Sequence, residues 1–245
     1  MSARSAPADG SVLLLPALVI AVLLWSTVTD LVLTPAAGDV GYVVGNLGAT
    51  VVLLLAARRA GLDRASLGLE GRTLVAGARW GGATAAVVVV VLATALLAGD
   101  RLGPLTALLA DERAALPASA LAFAVLVRIP VGTVVFEEVA FRGVLDAAAH
   151  RRLRPVAAIA VTAGTFGLYH VPPTLVALRV NDVPVASGAG LGALTGAVLV
   201  TAVAGVVFSW LRRRSGSLLA PALAHTATNV GGLLAASAAQ GGPLG

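Results

Sequence analysis

Seven stretches of this chain are long, apolar and almost free of charge, and that property limits its fold more than any other. They run over residues 12–33, 41–57, 75–98, 118–148, 155–173, 189–211 and 216–238. A hydrocarbon layer about 30 Å thick takes roughly 20 apolar residues per helix. The sequence therefore predicts an all-α, polytopic integral membrane protein of about seven transmembrane helices. Its composition agrees, since only 12% of residues are charged where a soluble domain carries about 25%. The connections are too short for a separate soluble domain, so residues 1–245 are expected to form a single membrane domain. The first window exceeds the 7–15 apolar residues of a cleaved signal, and no A-x-A site follows it closely. It is expected to stay as a helix.

All seventeen basic residues are Arg. They are spread through short loops and do not gather on one basic face, so no nucleic acid is expected as a partner. Assigning the loops alternately to two sides puts Arg4, Arg58, Arg59, Arg64, Arg72, Arg151, Arg152, Arg154, Arg212, Arg213 and Arg214 together. Only Arg101, Arg113 and Arg179 fall on the other side, while Arg79, Arg128 and Arg142 lie within windows or near their ends. By the positive-inside rule the N-terminus is cytoplasmic and the C-terminus outside, in the cell membrane. Leu102, Leu105 and Leu109 share one helical face between Asp100 and Pro117, which predicts an interfacial helix on the outer side. The loop at 58–73, with Leu62, Leu67 and Leu69 among its charges, is expected to lie on the membrane surface.

With no Cys there is no thiol nucleophile, thiolate site or disulfide framework. The chemistry left is that of carboxylates, imidazoles and hydroxyls. An ionisable group inside a span is unfavourable by about 2.5–3.5 kcal/mol on insertion scales, so each one is a functional candidate. The fourth window holds Glu137, Glu138 and Arg142, the fifth Phe166 and His170, the seventh His225 and Asn229. Counted from the nearest cytoplasmic arginine and taking about 1.5 Å per residue, Glu137, His170 and His225 lie roughly 21, 24 and 16 Å deep. Groups far apart in sequence thus share one level.

A carboxylate and two imidazoles at one depth suit hydrolysis by an activated water, with His225 and Asn229 as hydrogen-bond donors to an oxyanion. The same groups, His170, His225 and Glu137, equally read as ligands for zinc; no H-E-x-x-H motif is present. Glu138 and Arg142, at i and i+4, read as a neutralising structural pair. Phe166 taken alone reads as core packing, Arg128 as snorkelling or lining a cavity, Pro130 as a kink in the long fourth helix, and His150 as a solvated loop residue.

In these residues the chain resembles the CPBP intramembrane proteases, which include type II CAAX prenyl endopeptidases and bacteriocin-processing or self-immunity proteins. The family's E-E-x-x-x-R appears as Glu137, Glu138 and Arg142, its F-x-x-x-H as Phe166 and His170, its H-x-x-x-N as His225 and Asn229. The likeness covers about 118–238, a protease motif-bearing core, and the first three windows match only in character. It implies a helical fold with a conical cavity, in which Glu137 and His170 activate water and His225 and Asn229 bind the oxyanion. Members are commonly named metalloproteases, and a metal-free glutamate mechanism suits the residues as well. The implied partner is a membrane-anchored peptide or protein, of CAAX or leader-peptide type, in the lipid bilayer. The competing readings are a non-catalytic scaffold or self-immunity protein and a small transporter. A scaffold has no need of all four polar residues, and the two halves show no matching broken helices of the kind transporters use.

Overall fold

The computed structural model describes residues 14–98 and 112–241, and every regular element within them is helical. α1 (Leu14–Val28) passes through a π-helical turn at Thr29–Leu33 into α2 (Thr34–Arg59). Trp25 Nε1 donates to Asn46 Oδ1 at 2.7 Å, although in one straight helix these residues would stand about 31 Å apart. The chain therefore doubles back. It does so at Gly38, whose φ of 63° and ψ of −165° lie in a region essentially reserved for glycine.

α3 (Arg64–Leu67), α4 (Leu74–Ala98), α5 (Ala118–His150), α6 (Pro155–Tyr169), α7 (Val171–Val180), α8 (Gly188–Ser215) and α9 (Leu219–Ala239) follow. Four helical stretches among the described residues are long and apolar enough to cross a membrane: Leu14–Arg59, Arg64–Leu97, Ala118–His150 and Gly188–Ser215. The expected seven are not reached by that measure, for identifiable reasons. Leu14–Arg59 counts once although it reverses at Gly38. α6 stops after 15 residues, just ahead of Pro172 and Pro173. α9 carries His225, Thr226, Thr228 and Asn229, which lower its apolar character.

Val52, Val75, Val90, Leu97, Val200 and Val203 are exposed along these helices. Apolar surface of that extent marks contact with lipid rather than water, and the protein is an integral membrane protein. The core gathers around α5, where every residue from 136 to 149 is buried. A helix covered on all sides lies at the centre of its bundle. Leu18 and Val22 of α1, Phe166 and Tyr169 of α6, Phe208 and Leu211 of α8, and Ala220 and Ala224 of α9 pack in this core. Small residues let the helices approach, as is usual where lipid supplies no hydrophobic drive between them. A Cβ at Gly167 of α6 would meet the Val198 carbonyl oxygen of α8 at 2.6 Å. Pro130 lies inside a π-helical section, Ala124–Val134, where the widened turn accommodates the N–H that proline lacks.

The arginine-rich connections meet at one end. Arg151 donates to the carbonyls of Ala60 and Gly61, and Arg212 Nη2 to those of Ala65 and Ser66. Leu62 and Leu67 are buried in the protein core while Leu69 is exposed, so the 58–73 loop packs two of its three leucines against its own bundle. His150 is likewise no solvated loop residue: it ends α5, with Nδ1 2.9 Å from the Asp146 carbonyl and Nε2 against Arg213. Arg128, about 35 Å up α5 from Arg151 at 1.5 Å per residue, pairs with Asp39 at 2.9 Å and covers the Tyr42 ring. Glu112 N–H donates to Asn181 Oδ1, tying two further connections together. The segment expected as an interfacial helix, with Leu102, Leu105 and Leu109, lies outside the described residues; Glu112–Ala114 forms a single 3-10 turn.

Candidate active site

α5 brings Glu137, Glu138 and Arg142 to the centre of the bundle because it runs through the middle of the core. All three side chains are almost wholly buried. Glu138 Oε1 accepts from Arg142 Nη1 at 3.2 Å, as the i, i+4 spacing predicts. The same oxygen lies 2.8 Å from His225 Nδ1 of α9, a contact between residues 87 apart that the spacing does not announce. Glu138 is therefore more than half of a neutral pair. It also holds an imidazole.

That bond decides how His225 presents itself. A carboxylate oxygen accepts, so Nδ1 carries the proton, and Nε2 takes the Asn229 Nδ2 donor at 3.1 Å. Nε2 also faces Glu137 Oε2 at 3.7 Å. Phe208 of α8 stacks on the His225 ring, centroids 5.0 Å apart and planes at 27°. Arg142 places its guanidinium carbon 3.9 Å from the Phe166 ring centroid and 5.0 Å from that of Phe208. Aromatic faces thus help to hold a buried cation next to its carboxylate.

His170 occupies the junction of two helices, as the last residue after α6 and the one before α7, with φ −85° and ψ 0°. Its Nδ1 lies 2.7 Å from the Phe166 carbonyl. A carbonyl can only accept, so Nδ1 holds the proton and Nε2 keeps its lone pair. Phe166 touches both imidazoles edge to face, at 4.6 Å from His170 and 6.0 Å from His225. It is a spacer between the two rings as well as core packing.

Glu137 and Glu138 each keep a buried Oε2 with no hydrogen-bond partner within the protein. That of Glu137 faces His225 Nε2 at 3.7 Å, on the Asn229 side of the ring. A buried carboxylate oxygen left without a partner is unfavourable by several kcal/mol, and a catalytic role or a bound water is among the explanations for such a group. Four residues singled out from sequence, Glu137, His225, Asn229 and Glu138, are joined in one network. His170 adjoins it through Phe166.

Zinc ligation by His170, His225 and Glu137 is a poorer fit. Both ring nitrogens of His225 and the Nδ1 of His170 are already engaged. Among the described residues no three His, Asp or Glu side chains converge closely enough to hold a metal ion. One member of the site and one role within it had no sequence signal of their own. Phe208 is an apolar residue in an apolar helix, and the role of Glu138 toward His225 depends on how α5 and α9 are rotated against each other.

No curated protein matches the chain, and no solved structure does. A family model does: the one described as Type II CAAX prenyl endopeptidase Rce1-like matches residues 117–231, which include α5, α6 and the part of α9 bearing His225 and Asn229. The stretch that builds this buried network is thus similar to the Rce1-like, type II CAAX prenyl endopeptidase family, in agreement with the CPBP resemblance of its motifs.

Proposed function

We propose that this protein is an intramembrane endopeptidase that cleaves a membrane-anchored peptide with water activated by Glu137 and His170. One observation carries the reading: a carboxylate oxygen of Glu137, buried and unpartnered, beside the His225–Asn229 pair. Water bound there loses a proton to Glu137 or to the free Nε2 of His170, and its oxygen attacks the scissile carbonyl carbon. The negative charge moves to the carbonyl oxygen, to which Asn229 offers the second N–H of its Nδ2 and His225 donates in its imidazolium form, with Nε2 protonated as well as Nδ1. When the intermediate collapses, the C–N bond breaks and the abstracted proton passes to the departing amine. Glu138 fixes the His225 ring, and Arg142 balances the charge of Glu138. The Rce1-like match favours a substrate of CAAX type.

The whole chain acts in this reading as one membrane domain, residues 1–245, with 118–238 as its catalytic core. Seven crossings, with the N-terminus cytoplasmic and the C-terminus outside, agree with the reversal at Gly38 and with the meeting of the arginine-rich connections at one end. The test is cleavage, by purified protein in liposomes, of a prenylated CAAX peptide and of its unprenylated twin, with the new termini identified by mass spectrometry. Cleavage of the prenylated peptide alone supports the CAAX assignment. Cleavage of neither by folded protein contradicts it.

A further inference from the structure

α6 ends at Tyr169 because the next turn carries Pro172 and Pro173. In an unbroken helix the N–H of residue 173 would bond the carbonyl of Tyr169, and proline has none to give. The His170 N–H donates to the Gly167 carbonyl at 3.1 Å and also faces that of Leu168, which loses its helical donor at Pro172. The Tyr169 carbonyl is answered from a distant part of the chain. Ser26 Oγ of α1 donates to it at 2.7 Å, across 143 residues, and Ser26 is fully buried.

The serine has one proton to give, and Tyr169 takes it. Its other neighbour, Asp30 Oδ2, stands 3.4 Å away. Ser26 continues the stripe Leu18, Val22, Ser26 that faces the core, so α1 is anchored where its hydroxyl reaches the break. Tyr169 is joined to His170 by a peptide bond, and that planar unit fixes where the His170 backbone stands. The Tyr169 ring also packs edge to face on that of His170, at 5.7 Å.

We propose that Ser26 is a positioning residue for His170: its bond to the Tyr169 carbonyl holds the proline-induced break in the geometry that aims the imidazole. The inference rests on the reading of His170 as a base of the peptidase. Ser26 lies outside the stretch matched by the family model, so the completed site draws on the first helix of the chain as well as on residues 117–231.

The experiment uses the full chain in liposomes with Ser26→Ala, Ser26→Thr and His170→Gln, measuring kcat and KM and recording ring ¹⁵N spectra of labelled histidine. The protein has three histidines, so His170→Gln assigns its signal directly. A misplacement of about 1 Å can lower a rate by about 100-fold, so Ser26→Ala is expected to lower kcat by about 10- to 100-fold with KM little changed. It should also move the His170 ring resonances while leaving those of His225 in place. Ser26→Thr, which keeps the hydroxyl, should retain both; if its added methyl prevents folding, the alanine variant and the spectra decide alone. Full kcat in Ser26→Ala, or a loss without movement of the His170 signal, overturns the inference. If His170→Gln cleaves as fast as wild type, the peptidase reading fails instead, and movement of the His170 signal in Ser26→Ala still supports positioning.

Discussion

Removing the Glu138 carboxylate is expected to damage stability and catalysis by separable routes. Its Oε1 is shared between Arg142 Nη1 at 3.2 Å and His225 Nδ1 at 2.8 Å. Arg142 is 1% exposed, so Glu138→Gln leaves a buried guanidinium without its counter-charge. Breaking a buried pair from one side costs about 3–5 kcal/mol. The amide oxygen of Gln still accepts from His225 Nδ1, so folded Glu138→Gln should keep measurable turnover. Glu138→Ala loses that acceptor too and should be unstable and inactive. Adding Arg142→Met to Glu138→Gln removes the stranded charge, and the double variant should recover about 1–3 kcal/mol relative to the sum of the singles. Unfolding in mixed micelles gives the stabilities, and cleavage at matched folded concentration gives the rates. If Glu138→Ala is as stable and as active as wild type, or the double variant shows no recovery, this account of the buried pair is wrong.

Asn229→Ala should lower kcat by about 100- to 1,000-fold, the usual effect of losing one oxyanion donor, with thermal stability near that of wild type; an unchanged rate would remove Asn229 from the site. Gly38→Ala meets no side chain but forces a Cβ onto φ 63° and ψ −165°, and strain of about 1–3 kcal/mol should appear as a lower melting temperature in detergent. A reporter active only outside the cytoplasm should work when fused to the C-terminus and fail when fused at the connection bearing Arg151, Arg152 and Arg154. A C-terminal fusion active only in the cytoplasm would contradict the orientation.

The helical membrane fold was legible because apolar length is written directly into the chain. Glu137, His170, His225 and Asn229 stood out for the opposite reason, as polar groups in segments that lipid would keep apolar. Arginine spacing also grouped the connections that meet at one end, where Arg151 and Arg212 cap the carbonyls of the 58–73 loop. What stayed hidden depends on rotation of one helix against another. Glu138 could be matched to Arg142 by spacing within α5, but not to His225 on α9. Ser26 is one serine in an apolar helix, and its importance arises only because two prolines, about 145 residues later, leave a carbonyl open. Leu62 and Leu67 fit a membrane-surface loop equally well by pattern, and burial against the bundle is a tertiary outcome.

In this mechanism the decisive step is activation, by Glu137, of the water that attacks the peptide bond. Its most direct test is the cleavage rate of a membrane-anchored peptide by Glu137→Gln and by wild type, at equal folded concentration in liposomes. Gln preserves size and one acceptor oxygen while removing the base, so the variant should fold normally. Its rate should fall at least about 100-fold, the lower bound of what a positioned general base contributes. Wild-type turnover by folded Glu137→Gln would contradict the account.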